Sequence, residues 1–219
     1  MNIAICSVPT EVPDAKLERK RSDGQMGIMP KIAITSLNDW AKKNGFSNCK
    51  FYDIDMLYPD DDELEKYFKE TKPDVVGLSA VVSTCYMQVK RIAKIIRKIK
   101  KETLIVCGGY LTAAANVVLR KTEVDICVVG NGEIAWVGLL KFYKKHLELG
   151  KNKLDIDKLL KIKGIAFLDE DELKFSGYGT TLPGCEMSFP NFEYLKSGLL
   201  DQPEIVKNYF RKFKDNEIF

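Results

Sequence analysis

Histidine is nearly missing from this 219-residue sequence, whose only example is His146. A histidine-rich metal site is therefore excluded, and so is any catalytic triad that His146 does not supply. Because His146 lies among lysines near the end of a predicted helix, a charged surface residue is favoured over a catalytic base. We assign no catalytic residue and no metal ligand.

The glycine-rich motifs of nucleotide-binding enzymes are also absent. The sequence has no Walker A lysine motif and no GxGxxG after a predicted strand. Phosphoryl-acceptor signalling domains need aspartates after the first and third strands and a lysine after the fifth. Cys6-Ser7, Ser79-Ala80 and Gly130-Asn131 hold these places here, which argues against that class.

No apolar run approaches the roughly 20 residues that a membrane helix needs, and the first residues lack the charged region of a signal peptide. With 34 basic and 31 acidic residues, the formal net charge is only +3. This balance predicts no membrane binding and no nucleic-acid binding, although the lysine-rich helix predicted at Tyr86–Lys101 leaves the latter as a less favoured alternative. A cytoplasmic location is the default expectation.

The cysteines form no CxxC motif and no close triplet of the kind that holds an iron–sulfur cluster. Several lie in or beside apolar runs, so we expect free thiols that pack as small apolar groups. A disulfide framework is not expected in a cytosolic chain of this length. The six are Cys6, Cys49, Cys85, Cys107, Cys127 and Cys185.

What the sequence does contain is a regular alternation of apolar runs and amphipathic segments. The run Asp74–Ala80 is typical of a strand buried on both faces. The alternation predicts an α/β fold with a parallel sheet, helices on both faces and right-handed crossovers. The predicted strands are residues 2–8, Lys50–Asp55, Asp74–Ala80, Thr103–Cys107 and Val124–Val129, and the predicted helices are Met29–Lys43, Asp60–Lys72, Tyr86–Lys101, Thr112–Lys121 and Glu133–His146.

The pattern changes after Gly150. A helix or turn at residues 154–162 precedes a predicted β-hairpin, Gly164–Leu168 with Leu173–Phe175. The tail from Gly177 is predicted to be an extension or linker, with an amphipathic end at Glu204–Phe213. We therefore divide the chain into an α/β domain, 1–150, and a hairpin-and-linker extension, 151–219. The long Pro9–Gly27 loop is of the kind that often carries function.

Three loops at consecutive strand ends consist mainly of small residues. Ligands of open α/β sheets bind outside the carboxyl ends of the strands, glycines let a ligand approach the backbone, and free amides at helix starts hold phosphate. Each loop alone reads as an ordinary turn, but the three together favour a ligand site. The candidate binding residues are Ser79, Ala80, Val81, Thr84, Gly108, Gly109, Tyr110, Gly130, Asn131, Gly132 and Glu133.

Three blocks resemble the amino-terminal cobalamin-binding domain of cobalamin-dependent radical S-adenosylmethionine enzymes: Asp74–Ser79, Leu104–Gly109 and Asp125–Glu133. The resemblance covers residues 1 to about 146. More loosely, Ser188–Tyr194 is similar to the connector before the radical domain of those enzymes. The resemblance implies a flavodoxin-like (Rossmann-like) three-layer fold whose five parallel strands have the order 2-1-3-4-5.

The resemblance also implies a cofactor, cobalamin, with its corrin ring over the carboxyl edge and its nucleotide tail in a groove beside the sheet. By position, Ser79 and Val81 match the serine motif of that family, and Gly108 and Gly109 match the glycine pair that makes room for the tail. Gly130, Gly132 and Glu133 match the loop after the fifth strand. In such enzymes the cobalt relays a methyl group or otherwise assists.

Two departures from related domains matter. The Asp-x-His-x-x-Gly motif, whose histidine ligates cobalt in mutases, is absent. The segment Asp23–Gly27 is similar to this motif only by chance and has no histidine. Cobalt would therefore be bound without a protein imidazole. The Cys-x-x-x-Cys-x-x-Cys motif is also absent. The [4Fe-4S] cluster and S-adenosylmethionine would therefore belong to a missing radical SAM domain, in cis if the chain is the amino-terminal part of such an enzyme. The other interpretation is a stand-alone relative, and in both cases the chain alone should perform no radical chemistry.

Two alternatives remain at this point. In the first alternative, the chain is a binding or regulatory α/β domain that holds another nucleotide or a flavin. In the second alternative, the chain is a ligand-free interaction module. Its contact surfaces would then be the Pro9–Gly27 loop and the basic Glu204–Lys214 tail.

Overall fold

Seven strands form one mixed sheet in the computed structural model, which describes residues 1–10, 31–150, 153–187 and 191–200. The strand order is β2-β1-β3-β4-β5-β6-β7. The first five strands are parallel, which confirms the predicted order 2-1-3-4-5. The strands are β1 (Ile3–Ser7), β2 (Cys49–Asp53), β3 (Val75–Ser79), β4 (Leu104–Gly108), β5 (Ile126–Val128), β6 (Ile165–Asp169) and β7 (Glu172–Phe175).

The helices follow the strands as the alternation predicts. None in the described part of the chain is long and apolar enough to cross a membrane. The α-helices are α1 (Ile32–Lys43), α2 (Ile54–Leu57), α3 (Asp61–Thr71), α4 (Tyr86–Ile99), α5 (Ala115–Lys121), α6 (Glu133–Glu148), α7 (Ile156–Leu159) and α8 (Phe192–Ser197), and short 3₁₀ helices lie at Ser83–Cys85, Tyr110–Ala114 and Gly184–Glu186.

Side-chain caps explain where two helices begin. Asp60 and Glu63 form a reciprocal capping box at the start of α3. The α2 helix is missing from the sequence prediction, which carried the second strand on to Asp55. The strand ends at Asp53 because the carboxylate of Asp53 accepts a hydrogen bond from the Met56 amide and starts α2.

The core has two layers, one on each face of the sheet. One face packs against α3, α4 and α5, and the other face packs against α1 and α6. The central strand β3 is buried on both sides, as predicted. Its Gly77 admits the indole of Trp136 from α6, since a Cβ there would lie 3.1 Å from the ring. Five of the six cysteines are buried free thiols and only Cys185 is exposed, which confirms their predicted packing.

The predicted hairpin is present, and its two strands continue the central sheet. Strand β6 pairs antiparallel with β5, with Ile126 opposite Phe167, and β7 adds the last strand. Several predicted features lie outside the described residues: most of the Pro9–Gly27 loop, with Asp23–Gly27; Ser188–Pro190 of the connector; and the tail that includes Glu204–Lys214.

Candidate cofactor-binding site

Backbone hydrogen bonds join the predicted loops at the carboxyl edge of the sheet. The Ala80 amide donates to the Gly108 carbonyl at 2.8 Å, and the Leu111 amide donates to the Ala80 carbonyl at 3.3 Å. The Thr112 hydroxyl donates to the Val128 carbonyl at 2.9 Å. The sheet therefore brings the loops together, and we call residues 79–84, 108–110 and 130–133 the rim.

Gly109 fixes two of these loops against each other. Its φ of +95° and ψ of −177° place it in a region that is essentially open to glycine alone. A Cβ at this position would lie 2.2 Å from the carbonyl oxygen of Ala80. Gly109 is therefore required by the fold, because the loop after β4 lies directly on the loop after β3.

Gly108 has a different environment from its neighbour. A Cβ at Gly108 would have no atom within 4 Å. Because Ser7, Ser79 and Gly108 pair in register across β1, β3 and β4, they form a row of small residues that faces the same side of the sheet. That side is covered by α1 and α6, since Val75, four residues before Ser79, and Val106, two residues before Gly108, pack against these helices. We call the open space beside Gly108 the groove.

The loop after β5 is held from two sides. The Asn131 side-chain amide donates to the Thr181 hydroxyl at 2.8 Å. On the other side, the Ser36 hydroxyl of α1 donates to the Glu133 carboxylate at 2.8 Å. The sequence did not indicate Ser36 or Thr181, because each of them is far along the chain from its hydrogen-bond partner and lies in no motif.

The predicted residues differ in what they can offer a ligand. Tyr110 is 82% exposed and Val81 is 52% exposed, and Thr84, Gly109, Gly130 and Asn131 are also exposed. The Ala80 side chain is fully buried, so Ala80 reaches the rim only through its backbone. Apart from Glu133, the rim has no charged side chain. It therefore presents a largely uncharged, partly apolar surface.

A buried acid lies beside the small-residue row. Asp53 is completely buried, and its Oδ1 accepts hydrogen bonds from the Ser7 hydroxyl at 2.6 Å and the Met56 amide at 3.2 Å. Its Oδ2 has no hydrogen-bond partner among the described residues. Burial raises the pKa of Asp53, against the opposing effects of the Ser7 hydrogen bond and the Lys31 charge.

The single histidine is remote from the rim. Helix α6 has 16 residues, so its ends are about 24 Å apart. Glu133 is at the rim end, whereas His146 lies in the last turn, stacked on the ring of Tyr143. His146 therefore cannot serve the rim.

The fold and the rim together define a cofactor-binding α/β domain of flavodoxin-like topology. The family model described as "B12 binding domain" matches residues 26–140. The chain belongs to the B12-binding domain family, a class whose cofactor is cobalamin.

Similar proteins point to larger enzymes. The chain is 26% identical over 168 residues to the anaerobic magnesium-protoporphyrin IX monomethyl ester cyclase of Cereibacter sphaeroides, a match that covers 76% of this chain and 26% of the cyclase. It is 30% identical over 89 residues to an uncharacterized methyltransferase of Pyrococcus horikoshii, over 40% of this chain and 19% of that protein. The chain thus spans about a quarter or less of these curated relatives.

Two solved structures share the fold. The cobalamin-dependent S-adenosylmethionine radical enzyme OxsB, with aqua-cobalamin and S-adenosylmethionine bound, matches with a TM-score of 0.64 at 16% identity, over 91% of this chain and 25% of OxsB. The radical S-adenosylmethionine methyltransferase TsrM of Kitasatospora setae matches with a TM-score of 0.58 at 16% identity, over 78% of this chain and 29% of TsrM.

Proposed function

We propose that this chain binds cobalamin with the corrin ring over the rim and the nucleotide tail in the groove. The observation that carries this placement is the open space at Gly108, where a Cβ would meet nothing within 4 Å. Helices α1 and α6 cover the rest of this face, so the gap at the carboxyl end gives a narrow ligand segment a place beside the sheet.

The rim suits a broad, flat ligand. Val81 and Tyr110 offer exposed apolar surface at adjacent loops, and the apolar part of a corrin gains by covering such surface. Ser79, at the carboxyl end of β3, is partly exposed, and its hydroxyl makes no hydrogen bond with the described residues. Ser79 is therefore available to a polar group of the cofactor.

In this proposal the cobalt has no imidazole ligand from the chain. The only histidine of the sequence, His146, lies in the last turn of α6, about 20 Å along the helix from Glu133 at its rim end. Bound cobalamin would supply a cobalt centre that can carry a methyl group, and the rim residues of the chain would position its corrin ring.

We further propose that this domain works with a radical SAM domain in cis. Support comes from the relatives, since the cyclase and OxsB are each about four times longer than the part that this chain matches. In that arrangement the cluster and S-adenosylmethionine belong to the second domain.

The direct experiment adds hydroxocobalamin to the purified 219-residue chain and separates bound from free corrinoid by gel filtration. We expect a corrin spectrum that co-elutes with the protein and differs from that of the free cofactor. Elution of all corrinoid in the small-molecule volume would contradict the proposal. A flavin spectrum in the protein as purified would instead support the regulatory alternative.

A further inference from the structure

A hydrogen bond between two helices lies beside the proposed cofactor site. The Ser36 hydroxyl, near the start of α1, donates to the Glu133 carboxylate at the first residue of α6, at 2.8 Å. The adjacent residues are also in contact, since a Cβ at Gly132 would lie 3.2 Å from Leu37. The two helices are therefore closely joined at their rim end.

The same pair of helices has a second hydrogen bond further along. The Lys141 ammonium donates to the side-chain oxygen of Asn44 at 2.9 Å, beyond the end of α1. Lys141 comes more than two helical turns after Glu133. The Ser36–Glu133 bond thus fixes the spacing of α1 and α6 at the rim, and the Lys141–Asn44 bond fixes it away from the rim.

We propose that Ser36 is a positioning residue for the nucleotide tail of the cofactor, an inference that rests on the proposed function. Ser36 touches no reacting atom. By holding Glu133, it sets the separation of the two helices that cover the face on which Gly108 leaves its gap. The loop 130–133 itself keeps the Asn131–Thr181 hydrogen bond when Ser36 is changed, so we expect the rim surface under the corrin ring to be preserved.

If Ser36 positions the nucleotide tail, its loss should affect binding differently from a loss of overall fold stability. Cobinamide has the corrin ring of cobalamin but no nucleotide tail. Loosening of the groove should therefore weaken cobalamin binding and leave cobinamide binding unchanged. A defect of the whole fold would weaken both.

The experiment measures equilibrium affinities of the full chain for hydroxocobalamin and for cobinamide by absorbance titration. For Ser36→Ala we expect about a tenfold loss of hydroxocobalamin affinity, the low end for a lost hydrogen bond to a charged group, with no change for cobinamide. Ser36→Thr keeps the hydroxyl and should restore the affinity. Lys141→Met, which breaks the other bond between the helices, should bind both corrinoids as the wild type does.

The outcomes separate this inference from the function on which it rests. Wild-type chain that binds neither corrinoid would overturn both. Wild-type chain that binds hydroxocobalamin, together with a Ser36→Ala variant that is unchanged or that weakens both corrinoids equally, would overturn the positioning role alone. An equal loss of hydroxocobalamin affinity in Lys141→Met would also overturn it.

Discussion

Alanine substitution should destabilise the fold strongly at Gly109 and hardly at all at the adjacent Gly108. Alanine at Gly109 must adopt a φ of +95° in a region that costs residues other than glycine about 1–3 kcal/mol. Its Cβ would also lie 2.2 Å from the carbonyl oxygen of Ala80. Because that atom belongs to the backbone, the clash cannot be relieved by moving a side chain. Loss of the Leu111–Ala80 hydrogen bond adds about 0.5–1.5 kcal/mol.

Gly109→Ala should therefore lower the free energy of unfolding by roughly 2–4 kcal/mol, a large part of the 5–15 kcal/mol that is typical of folded proteins. Gly108→Ala is the matched control, since its Cβ enters open space and its φ is not in the positive region. We expect its unfolding free energy to stay within about 1 kcal/mol of the wild type.

The assay is urea unfolding followed by far-ultraviolet circular dichroism, with the difference in free energy taken from the midpoint and slope. A Gly109→Ala variant within 1 kcal/mol of the wild type would refute the reasoning. Equal destabilisation by both alanines would refute it as well, because the two positions would then not differ in their surroundings.

Two other predictions concern buried ionisable groups. Burial raises the pKa of Asp53, so the folded state binds a proton at the Asp53 carboxylate more tightly than the unfolded state does. The contribution of Asp53 to stability is therefore lost as the pH rises from about 3.9, the ordinary pKa of aspartate, through the raised pKa of the folded state. Asp53→Asn keeps an oxygen acceptor for Ser7 and should flatten this pH dependence in urea unfolding; a steeper profile would contradict the assignment. Burial also raises the pKa of Cys49 and of Cys127 to about 12, so a thiol reagent at neutral pH should label Cys185 rapidly and the other five only after unfolding. Rapid labelling of a second thiol in the native chain would show that the core is more open than described.

The layer architecture and the place of the loops could be predicted from sequence because they depend on local patterns. Apolar runs separated by amphipathic segments specify parallel strands, and the small residues that follow those runs necessarily lie at one edge. The start of α3 was likewise predicted at Asp60, which is the N-cap residue of that helix. These features need only neighbouring residues to be recognised.

The rest depends on contacts between distant parts of the chain. Gly108 and Gly109 look equivalent in the sequence, and only the register with β3 shows that one meets the Ala80 backbone and the other meets open space. Ser36 and Glu133 are 97 residues apart. Similarly, no local signal indicated that the hairpin would continue the sheet beside β5.

The most direct test of the account is the affinity of Gly108→Val for hydroxocobalamin and for cobinamide. The added side chain enters the space that the nucleotide tail is proposed to occupy, and its Cβ would have no other atom within 4 Å in the free protein. The account predicts a wild-type fold by circular dichroism, at least a tenfold weaker affinity for hydroxocobalamin (about 1.4 kcal/mol) and unchanged affinity for cobinamide. Undiminished binding of hydroxocobalamin by this variant would contradict the proposed groove.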